Sequence, residues 1–352
     1  MAKLGDYVNI RTGKLDANAA SENGCYPFFT CAVSTLKIDT YSYDCECVLV
    51  AGNGDLNVKY YCGKFDAYQR TYIIESKDKS VLSVRYLYYF LDQYVETLRK
   101  ESIGGVIKYI KLGNLTEASI PIPPLEEQRH IVSVLDKVTD LIAQRRAQLD
   151  KLDLLVKSRF VEMFGDPVSN PKGWPEENLQ KNVQLLNGRA YKQEELLDSG
   201  KYPVLRVGNF FSNRNWYYSN LELEPDKYCD NGDLLYAWSA SFGPQIWKGG
   251  KVIYHYHIWK VVIKDAYNKQ FLCKLLEYVT ASLMSETHGI AMMHLTKSGM
   301  EQTHFIVPPL ELQEQFSLFV ENVECIKSNI RRSLDKIVPL KSSLLFQYFK
   351  EA

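Results

Sequence analysis

The sequence predicts an α+β chain: two globular domains separated by two long helices packed as an antiparallel coiled coil, with a pseudo-two-fold internal repeat. Three observations lead there. One long segment occurs twice, each copy carries a helical apolar stripe, and the regions between mix strand-like and helix-like runs. A chain of 352 residues allows two to three domains at roughly 150 residues each. Its 46% hydrophobic and 24% charged residues are ordinary folded-protein composition and exclude a disordered chain. No apolar run reaches the roughly 18 residues of a membrane span, and the opening MAKLGDYVNI is no signal peptide, so a cytoplasmic protein with no membrane partner is expected. The 42 Lys+Arg balance 42 Asp+Glu, which argues against coating nucleic acid by bulk attraction but leaves a local basic surface open.

The repeat comes first. Pro123–Phe164 and Pro308–Phe349 align without a gap, 185 positions apart, and share 13 of 42 residues. Chance would give roughly two or three. The shared set includes Pro123/Pro308, Pro124/Pro309, Leu125/Leu310, Glu126/Glu311 and Gln128/Gln313, then Arg146/Arg331, Asp150/Asp335, Lys151/Lys336 and Phe164/Phe349. Weaker echoes lie upstream: Gly104 with Gly289, Tyr26-Pro27 with Tyr202-Pro203, and Gly63-Lys64 with Gly250-Lys251.

Both copies read as helices. A Pro-Pro pair suits the approach to a helix and its first positions. Ile131, Leu135, Val138, Ile142, Leu149, Leu152, Val156 and Met163 then recur near a 3.5-residue period, as do Phe316, Val320, Val323, Ile330, Leu334, Ile337 and Leu344. Each helix would be about 58 Å long. Where the first carries Arg145 and Arg159 on its seam, the second carries Ile330 and Leu344; where the second carries Lys327 and Lys341, the first carries Ile142 and Val156. Each stripe is imperfect alone, so the two helices are expected to pack on each other, antiparallel. Pro339 should kink or interrupt the second.

The regions between are mixed. CECVLVAG, RTYIIES, GDLLYAW and HIWKVVIKD read as strands, VRYLYYFLDQYVETLRKE and NKQFLCKLLEYVTASLMSE as helices. The expected boundaries are 1–122 and 167–307 for the globular domains, 123–166 and 308–352 for the helices.

Catalytic signatures are scarce. No P-loop, dinucleotide fingerprint or Asn/Asp-Pro-Pro-aromatic methyltransferase motif occurs, and no nucleophile–base arrangement stands out, so no catalytic residue and no metal site is assigned. His255 and His257 would share one face of a strand, which leaves a metal-dependent enzyme open as an alternative. Five of the eight cysteines fall between Cys25 and Cys62, but without a CxxC knuckle; buried, reduced thiols acting as small hydrophobes are the better account.

Recognition chemistry is richer. Loops mixing Arg, Lys, Asn, His, Ser and aromatics can donate to phosphates and read base edges. The first region offers Arg11, Lys14, Asn53, Asn57, Lys59, Tyr60, Tyr68, Arg70, Lys108 and Tyr109. The second offers Arg206, Asn209, Arg214, Asn215, Trp216, Trp238, Ser239, Ser241, His255, His257, His288 and His294.

Pro123-Pro124-Leu125-Glu126-Glu127-Gln128, the helix end Phe160-Val161-Glu162-Met163-Phe164-Gly165-Asp166, Gly173-Trp174-Pro175 and the second Pro308-Pro309-Leu310-Glu311-Leu312-Gln313 carry a family resemblance. The chain resembles the specificity (S) subunit of type I restriction-modification systems over essentially its full length. No counterpart of Gly173-Trp174-Pro175 precedes the first region, and Leu312 replaces a Glu.

The resemblance implies two target-recognition domains, each reading one half of a bipartite double-stranded DNA target, with the helices as spacer. It implies two modification subunits that bring S-adenosylmethionine and methylate adenine, joined by restriction subunits, and no cofactor or catalysis in this chain. Glu126, Gln128, Arg146, Asp150, Lys151 and Arg331 are then expected in modification-subunit contacts or in pairs on the helix surface. A coiled-coil scaffold with no DNA role remains the structural alternative. Residues 1–120 carry 14 basic and 14 acidic side chains, and 167–304 carry 15 and 14, so weak DNA binding outside the complex is expected.

Overall fold

The computed structural model describes residues 1–212, 215–239, 241–286 and 296–350, the last four of the third stretch as backbone only. The chain forms two compact units, residues 1–148 with 330–352, and residues 149–329. Each contains half of each long helix, Leu125–Phe164 and Leu310–Phe349. The first half of one meets the last half of the other, so the two helices run antiparallel.

In the first unit a six-stranded sheet has the order Val8–Thr12, Thr71–Ser76, Tyr43–Ala51, Val58–Ala67, Tyr26–Phe29, Leu36–Ile38. All neighbours are antiparallel except Val58–Ala67 with Tyr26–Phe29. The helix Val84–Glu101 starts at Ser83, whose side chain accepts from the Tyr86 amide, and ends with Arg99 and Lys100 beside its exposed carbonyls. Its Tyr86, Leu87, Phe90 and Leu91 bury against Val48, Val50 and Ile74 of the sheet. Ile131 and Leu135 of the first long helix and Leu345 and Phe349 of the second complete this core.

In the second unit two four-stranded sheets have the orders Val183–Asn187, Ile258–Ile263, Leu234–Ser239, Ser241–Ile246 and Tyr217–Ser219, Tyr202–Leu205, Val252–Tyr254, Tyr228–Cys229. Asn268 caps the helix Lys269–Glu286, its Oδ1 accepting from the Gln270 and Phe271 amides. Phe160 and Phe164 of the first long helix and Phe316, Val320 and Val323 of the second pack with Phe271 and Leu275 in one core.

The strands and helices expected from pattern are all present, and the duplication reaches well beyond the long helices. Gln128 is fully buried: Oε1 accepts from the Ser83 amide, and Nε2 donates to the Val81 and Pro123 carbonyls. Gln313 repeats each bond 185 positions on, to the Asn268 amide and the Ala266 and Pro308 carbonyls. A contact on the helix surface is thus corrected for Gln128. Its amide ties the start of the long helix to the turn entering the shorter helix, a job only a side chain with both donor and acceptor can do.

Three of the four charged seam positions meet opposite charges. Lys327 is 6% exposed, with Nζ 2.6 Å from Asp153 and 2.7 Å from Glu324. Lys341 reaches Asp92 at 3.3 Å, and Arg159 pairs with Glu162 beside the Phe319 ring. Pro339 does not interrupt its helix, which stays continuous to Phe349. Burial of Leu345 and Phe349 against the first unit outweighs the one hydrogen bond the proline removes. The cysteines are more mixed than expected: Cys47, Cys229 and Cys273 are buried, whereas Cys25, Cys62 and Cys325 are exposed.

Replacing Gln128 or Gln313 with Ala strands a buried amide and two carbonyls. Each variant should lose about 1–3 kcal/mol in urea unfolding, with comparable losses because the bonds are the same.

Candidate nucleic-acid interface

At one corner of each unit a glycine permits a close backbone approach. A Cβ on Gly13 would lie 2.1 Å from the Ala67 carbonyl oxygen, and one on Gly188 would lie 2.3 Å from that of Tyr254. Just beyond, Leu15 bridges Tyr68 and Arg189 bridges His255. These contacts anchor two three-residue turns, Tyr68-Gln69-Arg70 and His255-Tyr256-His257.

The turns are held alike. Thr71 N donates to Tyr68 O at 2.8 Å, as Ile258 N does to His255 O at 2.9 Å. Gln69 N donates to Leu15 O at 2.8 Å, as Tyr256 N does to Arg189 O at 3.1 Å. Gly52 N donates to Arg70 O at 2.8 Å, as Trp238 N does to His257 O at 3.0 Å. Ala51 pairs with Thr71 and Ala237 with Ile258, so Asn53 and Ser239 both stand two residues past equivalent strand positions. The turns also correct the strand expected for His255 and His257, because the strand ends at Tyr254.

A cleft opens at each corner. In the second unit it measures about 530 Å³ and is lined by Arg206, Asn215, Tyr217, Ser239, His255 and His257 among others. In the first it measures about 340 Å³, with Thr12, Gly52, Gln69 and Arg70 on its wall. The Arg206 guanidinium lies 5.2 Å from the Tyr217 ring centre. His255 and His257 have ring centres 4.8 Å apart, and Trp238 meets His257 edge-on at 5.0 Å. Burial first, then His257 and Arg206, hold the His255 imidazole down at about 4; burial also lowers His257. Both rings are therefore neutral near pH 7, each with one donor and one acceptor.

Of the first-region residues expected to bind, Lys14, Asn53, Tyr68, Arg70, Lys108 and Tyr109 lie in the loops around this corner. Asn53 bridges Tyr109, and Gly54 N donates to Lys108 O at 2.9 Å. The other four are engaged inside the unit. Arg11 pairs with Glu75 at 2.8 Å and lies over Tyr43. Tyr60 donates to Glu46 at 2.8 Å beneath Arg85. Asn57 and Lys59 donate to the Cys31 and Ala32 carbonyls.

In the second region Arg206, Asn215, Ser239, His255 and His257 converge on one cleft, and Ser241 pairs across the hairpin with Ser239. Asn209 is buried: its Oδ1 accepts from the Arg206 amide and its Nδ2 donates to the Asn215 carbonyl, so it braces this wall. Trp238 stacks on Trp259 and donates to the Tyr256 carbonyl; Trp216 packs near Trp247. Arg214, His288 and His294 lie outside the described residues. Sequence reading missed Gln69, Tyr217 and Arg189, the last held by two bonds to Glu195; the only signal for it was the preceding Gly188.

The two imidazoles offer metal ligands, yet among the described residues no group of three or more His, Cys, Asp or Glu is placed to hold an ion. No helix among them is long and apolar enough to cross a membrane. On the long helices Glu126, Arg146, Asp150, Lys151 and Arg331 are exposed.

A family model described as "Type I restriction modification DNA specificity domain" matches residues 1–152 and again 171–336. The chain belongs to this family. Among relatives, the specificity subunit of the Escherichia coli type I restriction enzyme EcoDI is 39% identical over 155 residues, covering 44% of this chain and 34% of that protein. The chain thus matches about a third of that relative's length. A putative type I restriction enzyme specificity subunit of Haemophilus influenzae is 22% identical over 335 residues, covering 89% and 84%. The S subunit of a type I restriction-modification system from M. genitalium shares the fold, with a TM-score of 0.64 at 15% identity and coverage of 100% and 96%.

One consequence of the buried imidazole is testable. His255 binds a proton less readily folded, at about 4, than at its ordinary 6.5, so unfolding takes up protons between those values. The stability tied to its neutral form is complete above pH 6.5 and is lost as pH falls toward 4. Urea midpoints should drop between pH 6.5 and 4.5, and His255→Asn should flatten that slope. Carboxylates held low by cations, such as Glu195 beside Arg189, contribute only below their ordinary 4.5.

Proposed function

We propose that this chain is the DNA sequence-recognition subunit of a type I restriction-modification complex. It contributes specificity and no catalysis. Each globular region reads one half of a bipartite duplex target, and the long helices set the distance between halves. The observation that carries this reading is the twofold match of the DNA specificity domain, joined to a cleft at the same corner of each region. A helix about 58 Å long exceeds one turn of duplex, roughly 34–36 Å, so separated half-sites suit it.

The partners follow from the same reading. Two modification subunits would bind S-adenosylmethionine and flip the target adenine from the stack, because its amino nitrogen is inaccessible within the duplex. Restriction subunits would join them for cleavage. Exposed apolar residues on the helices support two equivalent docking surfaces. Leu141, Leu340 and Phe346 are exposed in the first unit; their repeat equivalents Ile326, Leu155 and Val161 are exposed in the second. Large apolar side chains left in water at matching positions suit two copies of one partner.

Random duplex DNA should shift weakly with this chain alone and strongly with co-expressed modification subunits, with affinity falling steeply in salt. Absence of a shift in both conditions sinks the reading. Methylome sequencing of cells making the complex should reveal one bipartite adenine-methylated motif.

Leu155→Asp and Leu340→Asp test the docking surfaces separately. By native mass spectrometry each single variant should retain one modification subunit, and the double variant should retain neither. Each lost leucine contact is worth about 1.5–3 kcal/mol.

A further inference from the structure

The two corner turns share a backbone and differ in every side chain. All the fixed contacts described above, three amide hydrogen bonds and one bridge per turn, are made by main chain. Tyr68, Gln69 and Arg70 in one region therefore stand where His255, Tyr256 and His257 stand in the other. The bonds common to both turns are all main-chain, whereas the side-chain bonds, Gln69 to Asp16 in one and His257 N to His255 Nδ1 in the other, differ, so side chains can change while the shared support stays. Reading two unlike half-sites from one architecture requires this freedom.

The third position of each turn is the best placed to read. Its carbonyl is fixed by the neighbouring strand end, at Gly52 in one region and Trp238 in the other, and its side chain lines the cleft. Arg70 is exposed, and among the described residues its guanidinium pairs with no carboxylate, unlike Arg11 with Glu75 or Arg189 with Glu195. In the other region His257 is braced by the Trp238 edge. An unpaired guanidinium matches the two acceptors of guanine in the major groove. An imidazole can make one hydrogen bond to a base edge.

From this geometry we infer that Arg70 and His257 are the base-reading residues of the two half-sites, with Arg70 reading a guanine. The inference rests on the DNA-recognition reading above and names residues within it. The neutral imidazole fits base contact better than phosphate contact, since it contributes no charge near pH 7.

The test uses the full chain co-expressed with its modification subunits, read by methylome sequencing. Arg70→Ala should erase the preference for guanine at one position of one half-site, lowering discrimination there by about 10- to 100-fold while the other half-site is unchanged. His257→Ala should loosen a position in the opposite half-site only. Arg70→Lys keeps the charge but not the paired donors, so it should restore overall methylation without restoring the guanine preference.

An unaltered motif in either Ala variant overturns the inference. So does a uniform loss of methylation with the motif intact and rescue by Lys, which would mark Arg70 as a phosphate contact. A wild-type complex that yields no bipartite motif overturns the recognition reading itself, a different result from a motif that ignores the substitutions.

Discussion

Neither region closes its own core, and everything else in the structure depends on that. The first unit needs Phe349, whose ring lies 5.0 Å from Tyr86 and 5.9 Å from Phe90. The second needs Phe164, 4.6 Å from Phe271 and 5.6 Å from Phe316. Phe164 and Phe349 are the same residue of the repeat, and so are Tyr86 and Phe271. Each region is thus latched at the start of the helix that follows it, by Gln128 or Gln313, and sealed by the end of the other helix. Burying an aromatic side chain against a remote segment is worth several times a surface contact, and it links the long helices to both regions.

Charge is distributed to serve the same ends. On the helices, lysines at seam positions are compensated locally, Lys327 by Asp153 and Glu324 and Lys341 by Asp92. Such pairs add little net stability, since desolvation offsets most of their attraction, but an unpaired partner in another register would be costly. Of these pairs Lys327–Asp153 joins the two long helices and favours one alignment of them, whereas Lys341 ties its helix to Val84–Glu101. Each cleft wall, by contrast, holds one cation, Arg70 in one and Arg206 beside two neutral imidazoles in the other, with Lys14 and Lys108 in the loops around the first. A cleft lined this way offers more hydrogen-bonding groups than charge.

How legible this was in the sequence varied with the physics. The long helices, the shorter helices and the main strands followed from periodicity, because burial of one face imposes it. The seam exchange of Lys327 for Ile142 and of Arg145 for Ile330 announced the pairing of helices. Pro339 does not interrupt its helix, because local propensity yields when the following turns are buried by Phe349. Gln128 misled for a related reason: a polar residue on a helix start looks exposed unless its partners, here near Val81 and Ser83, are known to arrive from 45 residues upstream. The recognition corners were half legible. Residue type singled out Arg70, His255, His257 and Ser239, but it also singled out Arg11, Tyr60 and Lys59, whose neighbours Glu75, Glu46 and Ala32 occupy them. Sidedness and pairing come from tertiary contacts that no local pattern encodes.

The duplication shows where the two copies have been free to diverge. From Val81/Ala266 through Phe164/Phe349 the spacing is a constant 185 residues, which covers the amide latch, the shorter helices and the sealing aromatics. Before that point it changes at each loop: 175 from Gly13 to Gly188, 176 from Tyr26 to Tyr202, 186 from Asn53 to Ser239 and 187 from Tyr68 to His255. Insertions are tolerated in surface connections because closing a longer loop costs little, whereas one residue added to a packed helix rotates every following side chain about 100°. The part that fixes the spacer and the core therefore cannot change length. The part that carries the recognition corners can, and the turns keep their backbone bonds while their side chains and neighbouring loops differ. Change in length is confined to the part that carries the corner clefts, and the spacing of the frame that positions it is held constant by packing.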